Sequence, residues 1–244
     1  MKKLLRELAR GFGVVSAVPF MFRKEKIRPP KSVAHSQWVG NLAKQFNKDG
    51  MQILEIGSRN VTGTNLRAKF PRASYVGFDF YAGENVDVVG DAHRLSSYFD
   101  TGRKFDLIFS SAVFEHLYMP WVVALEIHKL LKIGGHVFVE THFSYSSHER
   151  PWHFFQFSDM GLRALFNDSL GFELIDSGMC NPISGYFGHR ADRWLRYTPV
   201  AELYCHSAIF CKKRCEVGDF DWSSVAIDEI VDGARYPKPD EPAV

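Results

Sequence analysis

The chain has 244 residues, a 45% hydrophobic content and a formal net charge of +2. That length fits one large domain with extensions, and that apolar content excludes a disordered chain. Acids and bases nearly balance and form no basic stripe, so a nucleic-acid partner is not expected.

At the N-terminus, Lys2 and Lys3 precede an apolar stretch that Arg6, Glu7 and Arg10 interrupt. Residues 11–22 are too short to span a bilayer. The expectation is a short helix packing through Leu4, Leu5 and Leu8, with weak interfacial membrane contact as the second reading. Residues 23–33 carry Pro29-Pro30 among charges and read as a linker. The expected organisation is an N-terminal helix and linker (1–35), one domain (36–215) and a tail (216–244). The tail, with Pro237, Pro239 and Pro242, is expected to be poorly ordered beyond one short helix.

From residue 36 the hydrophobic period predicts a helix to about 46, with Trp38, Leu42 and Phe46 four apart. Apolar runs then predict strands at 51–56, 74–80, 86–89, 104–112 and 134–142. A helix over 119–132 opens with Pro120, which suits a first helical turn. A further helix follows Ser158, a plausible N-cap. Strands at 171–179 and 202–213 close the series. Alternating strands and helices imply an α/β fold, a mostly parallel sheet with helices on both faces. Ligands on such sheets lie at the carboxyl ends of the strands.

The residues at those ends are informative. The first strand ends in Glu55-Ile56-Gly57-Ser58-Arg59, where glycine lets a ligand approach the backbone. The second ends in Asp79-Phe80, an acid suited to a pair of ribose hydroxyls. The third leads to Gly90-Asp91-Ala92, where a carboxylate can accept from an exocyclic amine. Singly, Asp79 reads equally as a helix cap and Asp91 as a turn residue.

The segments 54–58, 75–79, 88–93, 105–117 and 130–140 together resemble the class I S-adenosylmethionine-dependent methyltransferases, over roughly residues 36–213. The resemblance implies a Rossmann-like, seven-stranded sheet whose last strand is antiparallel, and S-adenosylmethionine as cofactor. It implies that Glu55 and Gly57 flank the methionine part, Asp79 holds the ribose, Asp91 and Ala92 contact adenine, and Ser111 lies beside the sulfonium. Ser58, Arg59 and Phe80 complete the expected cofactor-binding set. Arg59 and Val61 stand where the family usually has its second and third glycines. That loss removes a pyrophosphate cradle and argues against a dinucleotide. Arg59 is the candidate for the methionine carboxylate, with a solvated loop arginine as the alternative.

Such a cofactor brings its own activated methyl group, so the protein must chiefly align an acceptor. A hydroxyl acceptor must also lose a proton. His116, His142, His148 and His153 fall where a base would sit. Residues 141–166 resemble a segment of methyltransferases from polysaccharide and lipopolysaccharide clusters. His148 is the first candidate base, with His116 and His142 as alternatives. Trp152, Phe154, Phe155 and Phe157 read first as core and second as a cover over an acceptor. Residues 184–200 form the expected acceptor-pocket insertion. His189, Arg190, Arg193 and Arg196 within it suit a phosphate-bearing acceptor or, alternatively, a solvated helix face.

The histidines form no HxxxH or HxH pair, and the four cysteines form no CxxC, so no metal site is expected. Free thiols fit a cytoplasmic, reducing location. The expected activity is O-methylation of a sugar or glycan intermediate. The alternatives are O- or N-methylation of a small natural product, and a catalytically silent scaffold subunit.

Overall fold

The computed structural model describes residues 27, 29–61 and 63–231. The helix expected over 1–22 and the proline-rich segment after 231 lie outside them. Seven strands form one sheet in the order β3-β2-β1-β4-β5-β7-β6. They are β1 (Gln52–Ile56), β2 (Ser74–Asp79), β3 (Val88–Val89), β4 (Phe105–Ser111), β5 (Leu131–His142), β6 (Phe172–Tyr186) and β7 (Pro199–Lys213). Strands β1 to β5 pair in parallel, and β7 runs antiparallel to both β5 and β6. This is the expected Rossmann-like arrangement. The chain winds outward from β1 to β3 and returns across it to β4, so the carboxyl ends of β1 and β4 border a crevice.

Both faces of the sheet are covered, which is why its central strands read as near-continuous apolar runs. Helix α1 (Trp38–Phe46) buries Trp38, Leu42 and Phe46 against one face. Trp38 stacks on Phe138 of β5 at 4.7 Å, and Ile53, Leu107 and Phe109 complete that layer. On the other face, α2 (Pro120–Leu130) and α3 (Asp159–Leu165) pack over Leu54, Ile108, Val137 and Ile209. Ser158 caps α3 as expected, accepting from Gly161 N at 3.0 Å.

Several local details depart from a simple strand-helix alternation. Among the described residues between β1 and β2 there is no α-helix, only a 3-10 turn at Arg67–Lys69. There Asn60 and Asn65 accept from the backbone of Gly63 and Ala68, offering the chain a non-helical alternative. The Glu115-His116 pair occupies a single 3-10 turn, Phe114–His116. Residues 184–200 are not all loop, because β6 and β7 stay paired out to Tyr186 opposite Pro199. Lastly, residues at both borders of the domain pack onto it. Ser32 donates twice to Asp176 and Val33 is buried, while Val217, Phe220 and Trp222 pack on the core.

Helix α2 ends on a fully buried lysine. Lys213 Nζ donates to the carbonyls of His128 (2.7 Å) and Leu131 (3.1 Å) and pairs with Glu216 at 2.8 Å. Lys213→Met keeps the packing and orphans those acceptors, so thermal or urea unfolding should show a loss of about 1–3 kcal/mol. Unchanged stability would mean that the carbonyls find other partners.

Candidate functional site

The crevice is lined first by the ends of β1, β2 and β3. Gly57 turns out of β1 at φ +86°, and a Cβ there would stand 2.2 Å from Val113 Cγ2. Only glycine meets both conditions. The Gly57 and Ser58 amides donate to Phe78 O, tying this turn to β2. Ser58 is buried, and its hydroxyl packs where a Cβ on Gly77 would be. Its side chain thus serves the packing of the turn and does not face the crevice.

Asp79 ends β2. Its Oδ2 accepts from Arg59 N (3.2 Å) and its Oδ1 from Tyr81 N (3.0 Å). Each oxygen keeps a lone pair for a further donor. Arg59 Nε lies 3.5 Å from Asp79 Oδ1, and its guanidinium is 5.7 Å from the Tyr81 ring. Arg59 is therefore turned toward Asp79 and Tyr81. Phe80, beside it, is well exposed. Asp91 caps the 3-10 segment Ala92–Tyr98, accepting from His93 N at 2.9 Å, and contacts His93 Nδ1 at 2.6 Å. Partial burial raises its carboxyl, but the His93 hydrogen bonds outweigh that and hold it below the ordinary range. His93, a link to Met119 N that the sequence reading did not single out, joins this turn to the loop before α2.

Glu55 faces inward beneath the turn, 2.5 Å from the Tyr75 hydroxyl. Burial pushes its carboxyl up to about 7 despite that hydrogen bond. The folded chain therefore keeps a proton that the unfolded chain sheds near pH ~4.3. Stability should fall as pH rises from the unfolded value to about 7, by about 3 kcal/mol, and then level. Glu55→Gln retains an acceptor for Tyr75 and should remove this fall in denaturant titrations run from pH 5 to 8. An identical slope in the variant would contradict the assignment.

The second half of the site sits at the ends of β4 and β5 and gathers all three candidate bases. Ring centroids of His116 and His148 are 4.9 Å apart, those of His142 and His148 5.4 Å, and His153 lies 4.7 Å from His148. His116 Nδ1 bonds Trp152 O (2.9 Å), so it is tied to the loop after β5 and not within its own turn. His148 Nδ1 bonds Ser146 O at 2.8 Å, which sets its proton there and leaves Nε2 as an acceptor.

Two buried carboxylates underlie this cluster, and the sequence reading missed both. Glu115 lies 2.6 Å from His142 Nδ1 and accepts from Thr141 Oγ1 at 2.5 Å. Burial alone would raise the Glu115 carboxyl, but His142 and Thr141 more than offset it and hold it low. Glu140 accepts from Ser111 Oγ (3.2 Å) and contacts His35 Nδ1 (3.0 Å). That hydrogen bond raises the His35 imidazole against the opposing effect of burial. His35 stacks on His206 of β7 at 4.0 Å, and Tyr145 stacks on His142 at 4.4 Å. The aromatic loop divides: Phe157 is buried, whereas Tyr145, Trp152 and Phe154 are exposed.

A family model described as a methyltransferase domain matches residues 31–177, more than half of the chain. The chain belongs to the methyltransferase-domain family. The methyltransferase is S-adenosylmethionine-dependent. No curated protein matches it. Among solved structures, a candidate methyltransferase from Bacillus halodurans C-125 is 15% identical, over 72% of this chain and 98% of its own, with a TM-score of 0.51. The 1,6-didemethyltoxoflavin-N1-methyltransferase of Burkholderia thailandensis, solved with 1,6-didemethyltoxoflavin and S-adenosylhomocysteine bound, is 13% identical over 72% of this chain and 76% of its own, with a TM-score of 0.49. At such identities these likenesses bear on the fold alone.

The residues present fit S-adenosylmethionine. Gly57 opens the backbone at the end of β1, Asp79 offers two oxygens with spare acceptor capacity, and Asp91 and Ser111 stand at the neighbouring strand ends. Among the described residues, no helix is long and apolar enough to cross a membrane.

Proposed function

We propose that the enzyme methylates a hydroxyl of a sugar or glycan intermediate, with His148 as the base. The observation that carries this reading is the imidazole cluster at the ends of β4 and β5, next to the strand ends that suit the cofactor. The cofactor, when bound, supplies a methyl group on a sulfonium, ready for in-line displacement. Asp79 would hold its ribose, Asp91 and Ala92 its adenine, and Ser111 would lie beside the methyl group. The chain's own task is then to place the hydroxyl and take its proton.

His148 suits that task better than its neighbours. It is half-buried, its Nδ1 is fixed by Ser146 O, and its Nε2 is left to accept. His142 is almost fully buried against Glu115, while His116 has its Nδ1 on the Trp152 carbonyl and its Nε2 3.8 Å from Glu149 Oε2. Tyr145, Trp152 and Phe154 present exposed rings on the same loop, suited to stacking on a sugar face and limiting water. At the hairpin tip, Arg190 and Arg193 are exposed beside Trp194, whose exposure is 76%. That combination suits an acceptor with a phosphate, such as a nucleotide-sugar or lipid-linked glycan.

The test is a turnover panel with methyl-labelled S-adenosylmethionine. Nucleotide-sugars and sugar phosphates are compared with phenols and aromatic amines. Transfer to a sugar hydroxyl is expected. Transfer only to the flat aromatic acceptors would overturn the glycan reading in favour of small natural products.

A further inference from the structure

We propose that His142, Cys205 and His206 bind a divalent transition-metal ion of zinc type at the edge of the acceptor cleft. The site is absent from the linear sequence pattern because its ligands come from two strands. Pairing of β5 with β7 sets His142 directly opposite His206, with Cys205 next in the chain. Cys205 Sγ lies 3.7 Å from His206 Nε2, and the thiol and imidazole nitrogens of the three residues all lie within 4.8 Å of one another. Tetrahedral zinc, with bonds of about 2.0–2.3 Å, needs ligand atoms about 3.3–3.7 Å apart. One pair already meets that spacing, and small side-chain rotations would bring in the third.

The surroundings are those of a ligand set. A metal-binding imidazole is normally oriented by a partner on its other nitrogen. Glu115 Oε1 lies 2.6 Å from His142 Nδ1, a close contact that orients the ring. Asn181 Nδ2 lies 3.0 Å from His206 Nδ1 and orients that ring. Two neighbouring groupings are weaker. In Glu115-His142-His148 the carboxylate is already in close contact with the imidazole it would share with an ion. In His35-Glu140-His206 the two rings stack at 4.0 Å and 18°, so they cannot both aim at one centre.

Three protein ligands leave a fourth tetrahedral position, the pattern of a catalytic rather than a structural site. An acceptor hydroxyl placed there would be acidified by the ion, easing removal of its proton. That role rests on the hydroxyl-acceptor reading, whereas the binding itself does not.

Cobalt(II) is the probe, titrated into the full-length, metal-stripped protein with no acceptor present. The expected result is one ion per chain, a thiolate-to-cobalt charge-transfer band, and displacement of that band by zinc. Cys205→Ser should abolish the band while S-adenosylmethionine affinity and the circular dichroism stay unchanged. Glu115→Gln should weaken binding about 10–100-fold, as loss of an orienting partner does. His206→Gln, with its own folding check, gives a second independent reading of ligand loss. Absence of the band in the parent protein, or its survival in Cys205→Ser, would overturn the proposal. Because no methyl transfer is measured, failure here is distinct from failure of the acceptor assignment.

Discussion

His148→Ala is expected to lose about 10²–10⁴ in kcat while binding S-adenosylmethionine normally. The loss should appear equally in kcat/KM, because the proton is taken only in the transition state. Steady-state kinetics on the working acceptor, with calorimetric cofactor binding as control, reads both quantities. His148 stands among three other imidazoles, so the comparison must include His116→Ala and His142→Ala. Near-normal turnover in His148→Ala, with collapse in His116→Ala, would move the base to the turn after β4. The prediction draws its force from tautomer and access: His148 is partly exposed with a fixed Nδ1, whereas His116 Nε2 faces Glu149 Oε2 at 3.8 Å and His142 is buried.

Asp79→Ala should weaken S-adenosylmethionine by at least about 100-fold. Two hydrogen bonds from ribose hydroxyls to a charged acceptor are lost, each worth about 1.5–3 kcal/mol. The substitution also frees Arg59 N and Tyr81 N from the carboxylate, which loosens the loops on either side of it. Asp91→Asn should do less damage, since the amide oxygen can still accept from His93 N and from the adenine amine. Calorimetry on both variants separates the roles. Unchanged affinity in a folded Asp79→Ala, or greater damage from Asp91→Asn, would show that the ribose and adenine ends have been misassigned.

Much of the fold is legible in the sequence because local patterns carry it. Apolar runs buried on both faces, such as 104–112, can only be central strands, and Trp38, Leu42 and Phe46 mark one helical face. The absence of an α-helix among the described residues between β1 and β2 was less legible. There the deciding interactions are side-chain to backbone hydrogen bonds from Asn60 and Asn65, which leave no periodic signature. The extent of β6 and β7 was hidden for another reason. Their outer halves are held by pairing to each other, with Gly185 and Glu202 inside runs that look irregular.

The site divides in the same way. The positions of Asp79, Asp91 and Ser111 at or just after strand ends are readable because strand ends are readable. Glu115 and Glu140 were passed over because charged residues are rarely fully buried, and nothing local announces the imidazoles that compensate them. The approach of His206 and Cys205 to His142 depends on strand register between segments far apart in the chain. Arg59 shows the converse. Its position invites a role at an anion, but the nearest carboxylate in the folded chain is the protein's own Asp79.

The central claim is that the cofactor lies across the ends of β1, β2 and β3 with its reactive sulfur directed at the histidine cluster. A crystal structure of the full-length enzyme with S-adenosylhomocysteine tests it most directly. The account predicts both ribose hydroxyls on the Asp79 carboxylate, the adenine amine at Asp91, and the sulfur beside Ser111 on the side facing His148. A nucleoside bound away from Asp79, or a sulfur directed away from His148 and its neighbours, would contradict it.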